Sequence, residues 1–245
     1  MYKVKFYHGD YRERQHLANV DGAICYLEQH LNSSINEHVN YSACIVATNA
    51  SEKSMDWASD LASRTSGYLQ TPIYEGAFGR GVMKAIERGN GNLFYTDMPA
   101  IINEPLFASN PLGARMLKEG NAIAVIARQI ATSIEKNFPE GGLVAFSIGH
   151  KGQRSKPNDR GAQVYGGGTE AEFSELILKL ASRILTNTLH TEDEGEKPTS
   201  NNQGNIALTV LEDALADIND IISELQLTAN YIERRIKRLK DEQNQ

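Results

Sequence analysis

Short runs of β-branched and aromatic residues alternate along the chain with stretches whose apolar positions recur at helical spacing. The extended runs are Tyr2–Tyr7, Ala23–Glu28, Ala43–Ala47, Ala100–Asn103 and Leu143–Ile148. Each reads as a short strand. Between them lie helical patterns. One opens near Ser51 and places Met55, Ala58, Leu61, Ala62 and Thr65 on one face. A second covers roughly 115–137 through Ile123, Ile126, Ala127, Ile130 and Ile134, and a third follows Thr169 through Phe173, Leu176, Ile177, Leu180 and Ile184. Strands that alternate with helices predict an α/β fold, with a mostly parallel twisted sheet flanked by helices. In such sheets ligands gather at the carboxyl ends of the strands.

The pattern breaks once. Residues 190–205 read HTEDEGEKPTSNNQGN, without a large apolar residue, which predicts a linker between a globular part, 1–189, and a tail, 206–245. In the tail, Leu208, Leu211, Leu215, Ile218, Ile222, Leu225, Ala229, Ile232, Ile236 and Leu239 alternate three- and four-residue steps. This a/d heptad pattern predicts a coiled-coil helix that joins copies of the chain into a homo-oligomer through residues 206–242. An amphipathic helix folded back on its own domain is the alternative.

Composition narrows the function classes. Of 245 residues, 40% are apolar and 23% charged, enough to bury a core and too few charges for a disordered chain. The net charge of −6 makes nucleic acid or anionic lipid a poor electrostatic match, so no nucleic-acid partner is expected. The two cysteines, Cys25 and Cys44, both lie in strand-like apolar runs and are read as buried thiols rather than a disulfide framework. No run approaches about 18 consecutive apolar residues, so no membrane span is expected. The opening MYKVKFYHGDYRER carries no apolar core of a secretory signal, which points to a protein made in the cytoplasm.

Few residues remain as candidates for chemistry. His38 and His190 sit among polar loop residues; His8 and His16 flank a Gly-Asp turn and a helix start. His30 and His150 differ, because each follows an apolar strand directly, where sites are built; a structural role fits them equally well. Glu104 closes the run Pro99–Asn103 ahead of Pro105, as a site residue or an ion-pair partner. Thr169-Glu170-Ala171-Glu172 fits a capping box, in which Glu172 reaches back to the Thr169 amide and leaves Glu170 free. Two histidines and a carboxylate have the composition of a catalytic zinc site with one position open.

These residues resemble a known family, the zinc-dependent N-acetylmuramoyl-L-alanine amidases of the type-3 class, found among bacterial cell-wall amidases and phage endolysins. Met98-Pro-Ala-Ile-Ile-Asn-Glu104-Pro-Leu-Phe-Ala-Ser-Asn110-Pro111 is similar to the family's Pro-Ala-(apolar)-(apolar)-x-Glu-x-x-Phe-(apolar)-Ser-Asn segment. Arg14-Gln-His-Leu-Ala-Asn19, followed by a strand and His30-Leu-Asn32, resembles its Arg-x-x-x-Ala-Asn … His-x-Asn block. Gly149-His150-Lys-Gly152, Asp159-Arg-Gly-Ala162 and Thr169-Glu170-Ala171 are similar to its opening block, with Gln153 where the family has glycine.

The resemblance implies a zinc enzyme that cleaves the amide between N-acetylmuramic acid and L-alanine in peptidoglycan. Zinc would be held by His30, His150 and Glu170, with Glu104 as the catalytic acid–base. The order departs from the family, where the first zinc His, zinc Glu, second zinc His and catalytic Glu follow one another. Here the matching residues run His30, Glu104, His150, Glu170, the same order read as a circle, so a circular permutation is expected. The rival from another class is a non-catalytic wall-binding or particle-assembly protein oligomerised by its coiled coil. Action on the wall would follow release, as for a phage lysin or a component of a phage-tail-like particle.

Overall fold

The computed structural model describes residues 1–186 apart from 87 and 88; the expected linker, heptad tail and oligomer seam lie outside the described residues. In chain order the elements are β1 (Tyr2–Phe6), α1 (Tyr11–Val20), β2 (Cys25–Gln29), β3 (Ala43–Val46), α2 (Glu52–Leu69), β4 (Glu75–Gly76), β5 (Gly79–Arg80), β6 (Val82–Lys84), α3 (Asn90–Leu93), β7 (Ala100–Glu104), α4 (Pro111–Lys118), α5 (Asn121–Asn137), β8 (Gly142–Ile148) and α6 (Glu170–Leu185). Six strands form one sheet in the order β1-β8-β2-β7-β3-β6, and β4 and β5 make a small antiparallel hairpin.

The sheet is mostly parallel, as the alternation of strands and helices predicts. β1, β8, β2 and β7 run together, while β3 pairs antiparallel with β7 and parallel with β6. Side chains alternate across it. Leu27, Ile101, Val144 and Phe146 face the large core under α2, α4, α5 and α6. Tyr26, Ile45, Ile102 and Ala145 face a smaller core that includes Ala18 of α1 and Leu93 of α3. Each such side chain, removed from water, stabilises the fold by about 1.5–3 kcal/mol for the larger residues. Both cysteines are buried and free, as expected.

Two boundaries differ from the sequence reading. The single helix expected over roughly 115–137 is two helices, because Gly120 takes φ +79° between them and interrupts the ladder. The first starts earlier, at Pro111, with Asn110 as its cap accepting from the Gly113 amide at 2.9 Å. Among the described residues no helix is long and apolar enough to cross a membrane.

The carboxyl ends of β8, β2 and β7 lie side by side. Beyond the strands proper, the Gly149 amide donates to the Gln29 carbonyl (2.9 Å) and the His30 amide to the Asn103 carbonyl (3.0 Å). The residues after these three strands are thus held at one edge of the sheet.

Candidate metal centre

His30 and His150 stand at that edge. His30 continues β2 by one residue. His150 lies two residues past β8 in the left-handed conformation, φ +58°, which few residues other than glycine adopt without cost. Their rings meet edge to face, with centroids 4.9 Å apart. The third group arrives from α6, whose N-cap Thr169 and Glu172 form the capping box read from the sequence. Glu170, the first helical residue, is buried. Its Oε1 lies 2.8 Å from His30 Nδ1 and 3.5 Å from His150 Nε2. Two main-chain amides orient the carboxylate, Leu31 donating to Oε1 at 3.1 Å and Ala162 to Oε2 at 2.9 Å.

The ring nitrogens that point away from Glu170 are also engaged. His30 Nε2 lies 2.8 Å from Glu28 Oε1, and His150 Nδ1 lies 2.9 Å from Asp159 Oδ2. Burial alone pushes the His30 imidazole down, but its two carboxylate neighbours outweigh that and hold it up to about 10. Burial raises Glu170 and His30 lowers it further, below the usual carboxylate range.

One ligand atom from each of His30, His150 and Glu170 lies within 4.8 Å of the other two, the one such cluster of three among the described residues. The set fits a metal ion on its own chemistry. Two imidazoles and a carboxylate suit zinc and leave a fourth position, and each imidazole has an outer carboxylate to orient it. The walls are bare for a reason. A Cβ at Gly149 would sit 2.5 Å from His30 Cε1, and one at Gly161 would sit 2.4 Å from Glu170 Oε2.

With this geometry in hand, comparison with known proteins gives a family. The Amidase_3 profile, described as N-acetylmuramoyl-L-alanine amidase, matches residues 3–136. The chain belongs to the Amidase_3 family. No curated protein sequence matches it. Among solved structures, it is similar to the catalytic domain of CwlV, an N-acetylmuramoyl-L-alanine amidase from Bacillus (Paenibacillus) polymyxa var. colistinus. That match has 21% identity over 53% of this chain and 66% of the other, with a TM-score of 0.43. It is also similar to the N-acetylmuramyl-L-alanine amidase Ami1 of Mycobacterium smegmatis, at 16% identity over 53% of this chain and 61% of the other, with a TM-score of 0.45. In both cases the chain spans less than two thirds of the solved protein.

Within this Amidase_3 chain the matched segment holds His30 and Glu104; His150 and Glu170 lie beyond it. Glu104 is buried as the last residue of β7, one position past the Asn103 carbonyl that receives the His30 amide. It is not one of the three clustered ligands. Its charge is felt at Cys44 on β3, whose thiol is pushed up first by burial and then by Glu104. His8, His16 and His38 are exposed, in keeping with surface roles.

The sequence reading missed Glu28 as a partner of His30. A signal for it exists, since residues two apart on a strand share a face and an acidic residue inside an apolar strand needs a reason.

Proposed function

We propose that this chain is a zinc-dependent amidase that hydrolyses the bond between N-acetylmuramic acid and the L-alanine of peptidoglycan. The observation that carries the reading is the convergence of His30, His150 and Glu170, from three separate elements, in a chain of the Amidase_3 family. In this reading His30, His150 and Glu170 hold the metal. Zinc at such a site supplies Lewis acidity, polarising a carbonyl and making water acidic enough to act as a nucleophile near neutral pH. Glu170 is kept in place by the Leu31 and Ala162 amides, so its position does not depend on the metal. Glu104, at the end of the strand beside that of His30, takes the proton of the attacking water and passes it to the departing amine.

We further propose that the family's opening strand and helix are here β8 and α6, moved behind α5. Support comes from the family match ending at residue 136, before His150 and Glu170, and from their meeting His30 across the sheet. Residues 206–242 are proposed to join copies through their heptads. Light scattering should then give an oligomer for the full chain and a monomer for a chain ending at Thr186. A monomeric full chain at micromolar concentration overturns that seam.

The activity is tested by zinc content together with release of stem peptide from purified sacculi. His30→Ala and His150→Ala should lose zinc, while His38→Ala keeps it. Glu104→Gln should keep fold and zinc yet lose about 10²–10⁴ of the rate. Full zinc in both histidine variants would sink the metal assignment. Unchanged turnover in Glu104→Gln would remove its catalytic role. A zinc-loaded wild type that releases no stem peptide would favour the non-catalytic wall-binding alternative.

A further inference from the structure

Behind His30, away from Glu170, lies a charged cluster with no exposure to solvent. Arg14 and Glu28 are both fully buried, and Arg14 Nη2 donates to Glu28 Oε1 at 2.8 Å. The same oxygen accepts from Asn92 Nδ2 at 2.7 Å and faces His30 Nε2 at 2.8 Å. The guanidinium carbon sits 5.0 Å from the centre of the Tyr11 ring. Arg14 Nε and Nη1 are buried with no hydrogen-bond partner among the described residues. Such a pair is a poor stabiliser. Desolvating two charges is expensive, and an apolar pair of similar volume is often as stable or more so. A role other than stability is therefore called for.

The geometry supplies one. Glu28 and His30 are two apart on the same strand line and project to the same face. The His30 ring stands between Glu28, at Nε2, and Glu170, at Nδ1. Glu28 already takes up two other strong donors and has Arg14 as its counter-charge. It can accept the Nε2 proton of His30 and is not free to serve as a metal ligand. At His150 the arrangement is mirrored, with Asp159 holding Nδ1 and Nε2 turned to Glu170.

We infer that Glu28, locked by Arg14 and Asn92, is a positioning residue that fixes His30 as the Nε2–H tautomer, so that His30 and His150 ligate through opposite nitrogens, Nδ1 and Nε2. The inference rests on the metal reading of the site. It assigns to Arg14 and Glu28 a purpose that packing does not. Outer carboxylates of this kind set the ring orientation and raise the basicity of the ligating nitrogen, and their loss weakens metal binding about 10–100-fold.

The test uses the full chain labelled with ¹⁵N-histidine and loaded with zinc. Two-bond ¹H–¹⁵N correlation spectra show which nitrogen of each imidazole carries the proton. The two histidines whose signals respond to zinc should carry it on opposite nitrogens. Glu28→Gln should perturb one of them and Asp159→Asn the other, which assigns them. Chelator competition should show zinc bound about 10–100-fold more weakly by Glu28→Gln than by wild type.

A merely structural Glu28 would lower the melting temperature while leaving zinc affinity per folded molecule and the proton pattern unchanged, and that result overturns the inference. Zinc-responsive histidines that share one protonated nitrogen also overturn it, on wild type alone, even if Glu28→Gln does not fold. If wild type takes up no zinc, the metal reading itself fails and the inference with it, a result distinct from the other two.

Discussion

At the residue scale the site is shaped as much by missing side chains as by present ones. Gly149 follows β8 and passes within contact distance of the His30 ring; an added Cβ would lie 2.5–2.6 Å from three of its atoms. That ring is pinned by carboxylates on both sides, so it has little room to retreat. Gly149→Ala should therefore destabilise by about 1–3 kcal/mol through overpacking and displace His30, a proposed ligand. Thermal melts with and without zinc check this, and the gain in Tm on adding zinc should largely vanish. Gly67→Ala is the contrast. It lies inside α2, where a Cβ meets nothing within 4 Å, and should stabilise by about 0.5–1 kcal/mol with zinc binding untouched.

At the scale of elements, two contacts decide how helices stand on the sheet. Asp60 on α2 ties that helix to α5. It accepts from Ser133 Oγ at 2.7 Å, pairs with Lys136, and takes Arg64 Nε from its own helix at 2.9 Å. Burial opposes the charge, but the hydrogen bonds from Lys136, Ser133 and Arg64 hold the carboxyl below the usual aspartate range. A carboxyl lowered on folding contributes stability above its unfolded value, near pH 4, and loses it as pH falls through the folded value. Asp60→Asn should thus be less stable than wild type by about 1–3 kcal/mol at pH 7. The gap should close in denaturation curves taken at progressively lower pH below about 4.

The other contact is the cap of α6. Thr169 accepts from the Glu172 amide, while Glu172 Oε2 accepts from the Thr169 amide at 2.7 Å. Thr169→Ala should cost about 1 kcal/mol in denaturant unfolding. It should weaken zinc binding as well, because the frayed turn carries Glu170.

On the scale of the whole molecule, β8 lies between β1 and β2 although it follows both in the chain. Its start is clamped to the other end of the sequence, the Gly142 amide donating to the Met1 carbonyl at 3.1 Å. α6 begins at the carboxyl edge of the sheet, runs back beneath it and packs against β1. Restoring the family's order should then be tolerated, as termini moved to exposed connections usually are. A chain running 142–186, a short flexible linker, then 1–141 should fold, melt within a few degrees of a 1–186 chain and bind one zinc. Failure to fold by circular dichroism would refute the permutation, since the same contacts would be available in either order.

How much of this was legible beforehand follows from what is local. Strand runs, the helix after Ser51, the capping box at Thr169 and the placement of His30 and His150 at strand ends are written in residues a few positions apart, where periodicity and capping act. The reversal of β3, the break at Gly120 and the outer carboxylates Glu28 and Asp159 were not read. Strand direction depends on how connections cross the sheet, and Gly120 interrupts a pattern whose apolar spacing runs on regardless. The sequence by itself determined which elements form and, through resemblance, which residues to suspect. Only the tertiary structure decided that His30 and Glu170, 140 positions apart, stand 2.8 Å from each other. It did so because the strand order of the sheet brings β8 beside β2, and no local pattern encodes that neighbourhood.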